Sequence, residues 1–172
     1  VTLTAKGNYI SKSDLNGVII GLSGGIDSAL TLAISSEIFD KKRDKNIMKV
    51  AYIFRNDMSA TFQLASMILP QLEQGSHGVE IVGMMFFDDN VYALSADNDI
   101  GKRLSKIAEQ QNILLMVCDQ CALRRGLAVG DFSQCGSGEV KAKGTVAGVV
   151  AGCFPQLYGA LSTNLPDQVI TL

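Results

Sequence analysis

The chain of 172 residues has one histidine, little surplus charge and no uninterrupted apolar run of spanning length. A formal net charge of -2 and an isoelectric point near 5.3 argue against a surface built mainly to bind nucleic acid. The opening stretch, VTLTAKGNYISKSD, has no basic segment followed by an apolar one. No secretory signal is visible, so a cytoplasmic location is expected, and the four cysteines are expected as free thiols in a reducing compartment. Thr145–Leu161 is uncharged and nearly long enough to span a bilayer, but Gly148, Gly152, Pro155 and Gly159 interrupt it. It is predicted as a buried strand followed by a helix from Pro155, with no membrane contact. The single histidine, His77, is predicted to be a solvated loop residue, not a catalytic base. One CxxC pair, Cys118 and Cys121, is too few for a zinc site unless Cys135 and Cys153 are also recruited, so no metal is expected.

A composition of 47% hydrophobic and 19% charged residues is that of a globular protein with room for a real core. Residues 1–46 and 47–172 differ in pattern. In the first part, GVIIGLSGGIDSALTLAISSEIF (17–39) predicts a strand over Val18–Leu22, a glycine-rich turn over Ser23–Ser28 and a helix over Ala29–Phe39. Such a turn aims backbone N–H groups and a helix N-terminus at one point, which suits a phosphate or pyrophosphate. The charged run DKKRDKN (40–46) closes this strand–loop–helix appendage as a linker.

Ser23-Gly24-Gly25-Ile26-Asp27-Ser28 resembles the SGGxDS pyrophosphate loop of ATP pyrophosphatases, and its surroundings resemble the start of the synthetase domain of NAD synthetases. The resemblance implies that Ser23, Gly24, Gly25, Asp27 and Ser28 would hold the pyrophosphate of ATP, with magnesium, during adenylation of a substrate. The bland alternative is a βα remnant that binds nothing.

From Met48 strands and helices alternate. Strands are predicted over Lys49–Arg55, Val79–Phe87, Ile113–Val117, Thr145–Ala151 and Gln168–Leu172. Helices are predicted from a Ser59 cap to Gln74, with Pro70 kinking the last turns, over Asn98–Gln111, and over Pro155–Thr163. The stretch from Leu127 to Gly144, rich in glycine and serine, is predicted as a mobile loop. Near-continuous apolar strands alternating with helices imply an α/β fold with a mainly parallel sheet flanked by helices.

The stretch ILLMVCDQCALRRGL (113–127) carries the chemistry. A thiol at the carboxyl end of a strand sits where α/β sheets place their ligands. A helix start and the nearby Arg124 and Arg125 would favour the thiolate of Cys118, with Arg125 expected as the inward one; Asp119 would oppose them. The alternatives are an inert buried thiol, or a CxxC dithiol exchanging disulfides through Cys118 and Cys121. Asp88 and Asp89, at the end of another strand, could face the same crevice or simply form a turn.

Taken in order, KVAYIFRND, FFDDNVYAL, the strand-Cys-xxx-ALRRG unit and the closing DQVITL resemble the DsrE/TusD family of sulfur-relay proteins. The resemblance spans Met48 to Leu172. It implies a small DsrE-like α/β domain in which Cys118 accepts sulfane sulfur as a persulfide and passes it on, with no cofactor required. It also implies sulfur-donor and sulfur-acceptor proteins as partners, and a homo- or hetero-oligomer, a trimer or hexamer. Cys121 and an insertion over Asp131–Lys143 carrying Cys135 depart from the family pattern.

Overall fold

The computed structural model describes residues 47–172 and, as backbone, the segments 3–5, 8–12 and 18–20. The chain divides into two units, Val1–Ile47 and Met48–Leu172. In the first, β1 (Leu3–Ala5), β2 (Asn8–Lys12) and β3 (Val18–Ile20) pair antiparallel in chain order. The strand predicted over Val18–Leu22 is present as β3, but it is the third strand of a meander whose first two strands were not anticipated. The Ser23–Ser28 loop and the helix predicted over Ala29–Phe39 lie outside the described residues.

The second unit is built on β4 (Lys49–Phe54), β5 (Glu80–Phe86) and β6 (Leu114–Cys118). A short antiparallel ribbon of β7 (Ala128–Val129) and β8 (Lys141–Ala142) follows. Then come β9 (Val149–Gly152) and β10 (Gln168–Thr171), which complete a five-stranded, all-parallel sheet in the order β10-β4-β5-β6-β9. This is the expected α/β architecture, and the apolar runs explain it. Every residue of β5 after Glu80 is buried, as a strand covered on both faces must be.

The helix predicted from Ser59 to Gln74 is two pieces: a nine-residue π-helix, Ala60–Ile68, then α1 (Leu69–Glu73). The Leu69 amide bonds the Leu64 carbonyl five residues back, and Pro70 has no N–H to continue an α-helical ladder through this point. Ser59 does not cap it; its hydroxyl donates instead to Oδ1 of the buried Asn90, at 3.3 Å. A 3-10 segment, Asp88–Leu94, leads into α2 (Asp99–Gln111), which is capped by the Asn98 side chain accepting from the Ile100 amide. Two shorter helices, α3 (Asp119–Arg124) and α4 (Phe154–Leu161), start directly after β6 and β9.

Phe54 and Phe86 stack at 4.8 Å between their centroids and, with Leu64, Leu69, Leu104 and Leu115, form the core on one face of the sheet. On the other face Ala51, Met85 and Met116 pack beneath Leu157 and Leu161 of α4. The strands step outward from β4 to β9, and then the chain returns to lay β10 on the far side of β4. The reversal opens a crevice at the carboxyl ends, the place where such sheets bind ligands.

The stretch predicted as a mobile loop is built. Asp131 and Gln134 form a reciprocal capping box around a 3-10 turn at Phe132–Gln134, and Val140 is buried in the main core. The sequence pattern hid this because one buried valine and a few side-chain hydrogen bonds leave no periodicity. No helix among the described residues is long and apolar enough to cross a membrane.

Candidate functional site

All five strands of the sheet deliver residues to one crevice of about 580 Å³ at their carboxyl ends. Ile53 and Arg55 come from the end of β4 and Thr171 from β10; Phe87 and Asp88 follow β5. Cys118 ends β6, and Cys153 follows β9. Cys121 enters from α3, and Cys135 from the 3-10 turn beyond β7. All four cysteines of the chain therefore line one space, and all four are free thiols.

Cys118 lies at the floor, 7% exposed. Burial pushes its thiol up to about 12, against a smaller downward pull from the Cys121 amide; the Cys121 thiol and the Asp119 carboxylate push it further up. The expectation of a Cys118 thiolate is thus corrected: desolvation outweighs the helix start, and the arginines do not reach this sulfur. Arg124 turns outward, its guanidinium 5.8 Å from the centre of the Phe132 ring. Arg125 is the inward one, but it serves Cys121 and Asp89: Nη1 donates to the Cys121 carbonyl at 3.2 Å, and Nη2 lies 2.7 Å from Asp89 Oδ1.

Cys121 is partly exposed, and its thiol donates to Asp88 Oδ1 at 3.7 Å. Asp88 is therefore both a turn residue, with φ 47°, and a wall of the crevice. Asp119, 2% exposed, is the polar hub. Its Oδ1 accepts from the Gln120 amide and its Oδ2 from the Gly136 amide, each at 2.6 Å. Gln156 completes the frame: Oε1 accepts from the Cys153 amide at 2.9 Å, and Nε2 donates to the Gly136 carbonyl at 2.7 Å. Gly152 lets Gln156 sit there, because a Cβ at that position would stand 2.9 Å from the Gln156 Cβ. Burial first, then the Asp119 carboxylate, hold the Cys135 thiol above its usual range.

Arg55, Cys135 and Cys153 were not singled out as site residues. Arg55 and Cys153 each follow an apolar strand directly, and in a parallel sheet such positions share one edge, so that signal was present. Cys135 left none. His77, expected in solvent, bonds Tyr52 and Gln71 and stands apart from the crevice. Among the described residues no group of three or more His, Cys, Asp or Glu is arranged to hold a metal ion.

Fold and site together define a parallel α/β domain with a thiol crevice at its strand ends. The chain belongs to the NAD synthase family, whose sequence profile matches residues 3–116. The match runs well beyond residues 17–39 and reaches into β6. Similar proteins include the glutamine-dependent NAD(+) synthetase of Acinetobacter baylyi, 42% identical over 55 residues, which are 32% of this chain and 10% of the relative. The NH(3)-dependent NAD(+) synthetase of Mycoplasma genitalium is 35% identical over 74 residues, 43% of this chain and 28% of the relative. The chain thus spans between a tenth and under a third of the length of these two relatives. Among solved structures, the ychN protein from E. coli superposes with a TM-score of 0.48 at 18% identity, covering 74% of this chain and 100% of that one.

Proposed function

We propose that residues 48–172 form a sulfur-carrying domain that accepts sulfane sulfur as a persulfide on the Cys118–Cys121 pair and hands it to a partner protein. The observation that carries this reading is the convergence of four free thiols on one strand-end crevice. The sequence resemblance to sulfur-relay proteins supports it. Cys121 is the better receiving thiol of the pair, because it is partly exposed where the crevice opens. Cys118, buried and protonated, stands behind it. The reaction needs no cofactor, only donor and acceptor proteins, and an oligomer would fit the same reading. Incubation with inorganic polysulfide followed by intact-mass measurement should add the mass of one sulfur in the simplest case. Absence of an adduct on the wild type would refute the reading, as would an undiminished adduct in the Cys118→Ser/Cys121→Ser variant.

A second reading, ATP-dependent adenylation, is favoured by the family match and the SGGIDS motif. Ser23, Gly24, Gly25, Asp27 and Ser28 would hold the pyrophosphate of ATP. Calorimetry with ATP and magnesium should then give heat that Asp27→Ala abolishes. A silent titration of the wild type removes this reading and leaves the first untouched.

A further inference from the structure

We propose that Cys135 is the exit thiol of the crevice: sulfur received by the Cys118–Cys121 pair moves to Cys135 before it leaves the protein. The inference rests on the persulfide reading above. It starts from an arrangement that folding alone does not demand. Gly136, the residue after Cys135, has both backbone polar groups held by side chains, its amide by Asp119 and its carbonyl by Gln156. Asp119 opens the helix that follows Cys118, and Gln156 braces the Cys153 amide at the start of α4. The two bonds thus tie the Cys135 turn to both helix starts at the strand ends. The Asp131–Gln134 capping box fixes the turn from its other side. Phe132, in the same turn, is 52% exposed, so this segment forms the outer rim while Cys118 forms the floor.

The chemistry is an isovalent exchange. Cys135, partly exposed in the open crevice, gives its proton to solvent. The resulting thiolate attacks the outer sulfur of the Cys121 persulfide. The bond between the two persulfide sulfurs breaks, and its electron pair stays on the Cys121 sulfur, which takes a proton from solvent and again donates to Asp88 Oδ1. A new S–S bond on Cys135 carries the sulfane sulfur. Nothing is oxidised or reduced overall, so no further reagent is needed.

The sequence makes the test direct, because tryptic cleavage at Arg124, Arg125 and Lys141 places Cys118 and Cys121, Cys135, and Cys153 on three separate peptides. The full chain is pulsed with inorganic polysulfide, quenched with an alkylating agent at increasing times and mapped by mass spectrometry. The sulfur should appear first on the Cys118–Cys121 peptide and then on the Cys135 peptide. In Cys118→Ser/Cys121→Ser, label on Cys135 should fall on the order of tenfold. In Cys135→Ser, sulfur should accumulate on the inner peptide, and its release to a small soluble thiol should slow by a similar factor. Cys153→Ser should still pass sulfur to Cys135. Label that never reaches Cys135, or reaches it as fast in the double variant, or goes to Cys153 instead, overturns the exit role while a persulfide on the inner pair stands. No sulfur on any peptide of the wild type removes the persulfide reading itself.

Discussion

The two arms that frame the thiol crevice are held in different ways. The Cys118–Arg125 arm continues a central strand and is fixed by apolar burial: Val117 and Ala122 are both fully buried. The Asp131–Val140 arm sinks one buried side chain, Val140, into the core and otherwise depends on hydrogen bonds to Asp119, Gln156 and its own capping box. The position of the first arm follows from the sheet. The second has a position of its own, which can be lost while the sheet survives.

The largest expected effect tests the first half of that contrast. Phe86 is fully buried and stacks on Phe54, so Phe86→Ala should cost about 3–5 kcal/mol and loosen both arms together. Its readout is the urea midpoint and the amide protection of β6. Loss below roughly 1 kcal/mol would mean that the sheet does not set the first arm.

Asp119→Ala should cost less, about 1–3 kcal/mol, because it leaves the Gly136 amide without its buried acceptor. Here the arms should separate. Exchange of the Gly136 amide and alkylation of Cys135 should rise, while β6 keeps its protection. Gln156→Ala removes the second tether, a neutral one worth roughly 0.5–1.5 kcal/mol, and should free the same turn more weakly. Equal loss of β6 protection in either variant would show that the second arm is part of the sheet's cooperative unit.

The contrast also explains what the sequence could show. The apolar strands and the helix over Asp99–Gln111 were legible because burial writes a period into the chain. Cys118 at a strand end was legible for the same reason. The thiolate expected there was not correct, because spacing places charges along a helix but says nothing of how deeply the sulfur sinks. The two arginines lie where α3 sends them, one against Phe132 and one against Asp89, and neither reaches Cys118. The π-helix was hidden because its apolar pattern differs little from an α-helical one. The second arm was hidden because side-chain hydrogen bonds between residues seventeen and twenty positions apart, Asp119 to Gly136 and Gly136 to Gln156, have no sequence signature.

The smallest expected effect concerns the Gly75–Gly78 turn, where the ring of His77 is held on both nitrogens. Gln71 Oε1 is 2.8 Å from Nδ1 and can only accept, so Nδ1 carries the proton. The Tyr52 hydroxyl, 3.1 Å from Nε2, then donates to the ring. The neutral imidazole satisfies both partners. A second proton on Nε2 would reverse the Tyr52 bond and place a charge where burial already lowers the His77 pKa. Burial also raises the Tyr52 pKa, so the phenol stays protonated and offers no compensating charge. The sign follows from proton counting: below about 6.5 the unfolded chain binds a proton at His77 before the folded chain does. The stabilising contribution is therefore complete above that pH, falls as pH drops toward the lowered folded value, and then levels off. Because the ring is partly exposed, the change should be small. Urea midpoints across this range for the wild type and His77→Gln should converge as pH falls, since the variant lacks the titration. Midpoints that stay parallel from neutral pH downward would show that the folded and unfolded states protonate His77 alike, and the turn would then hold its histidine by packing on Tyr52 alone.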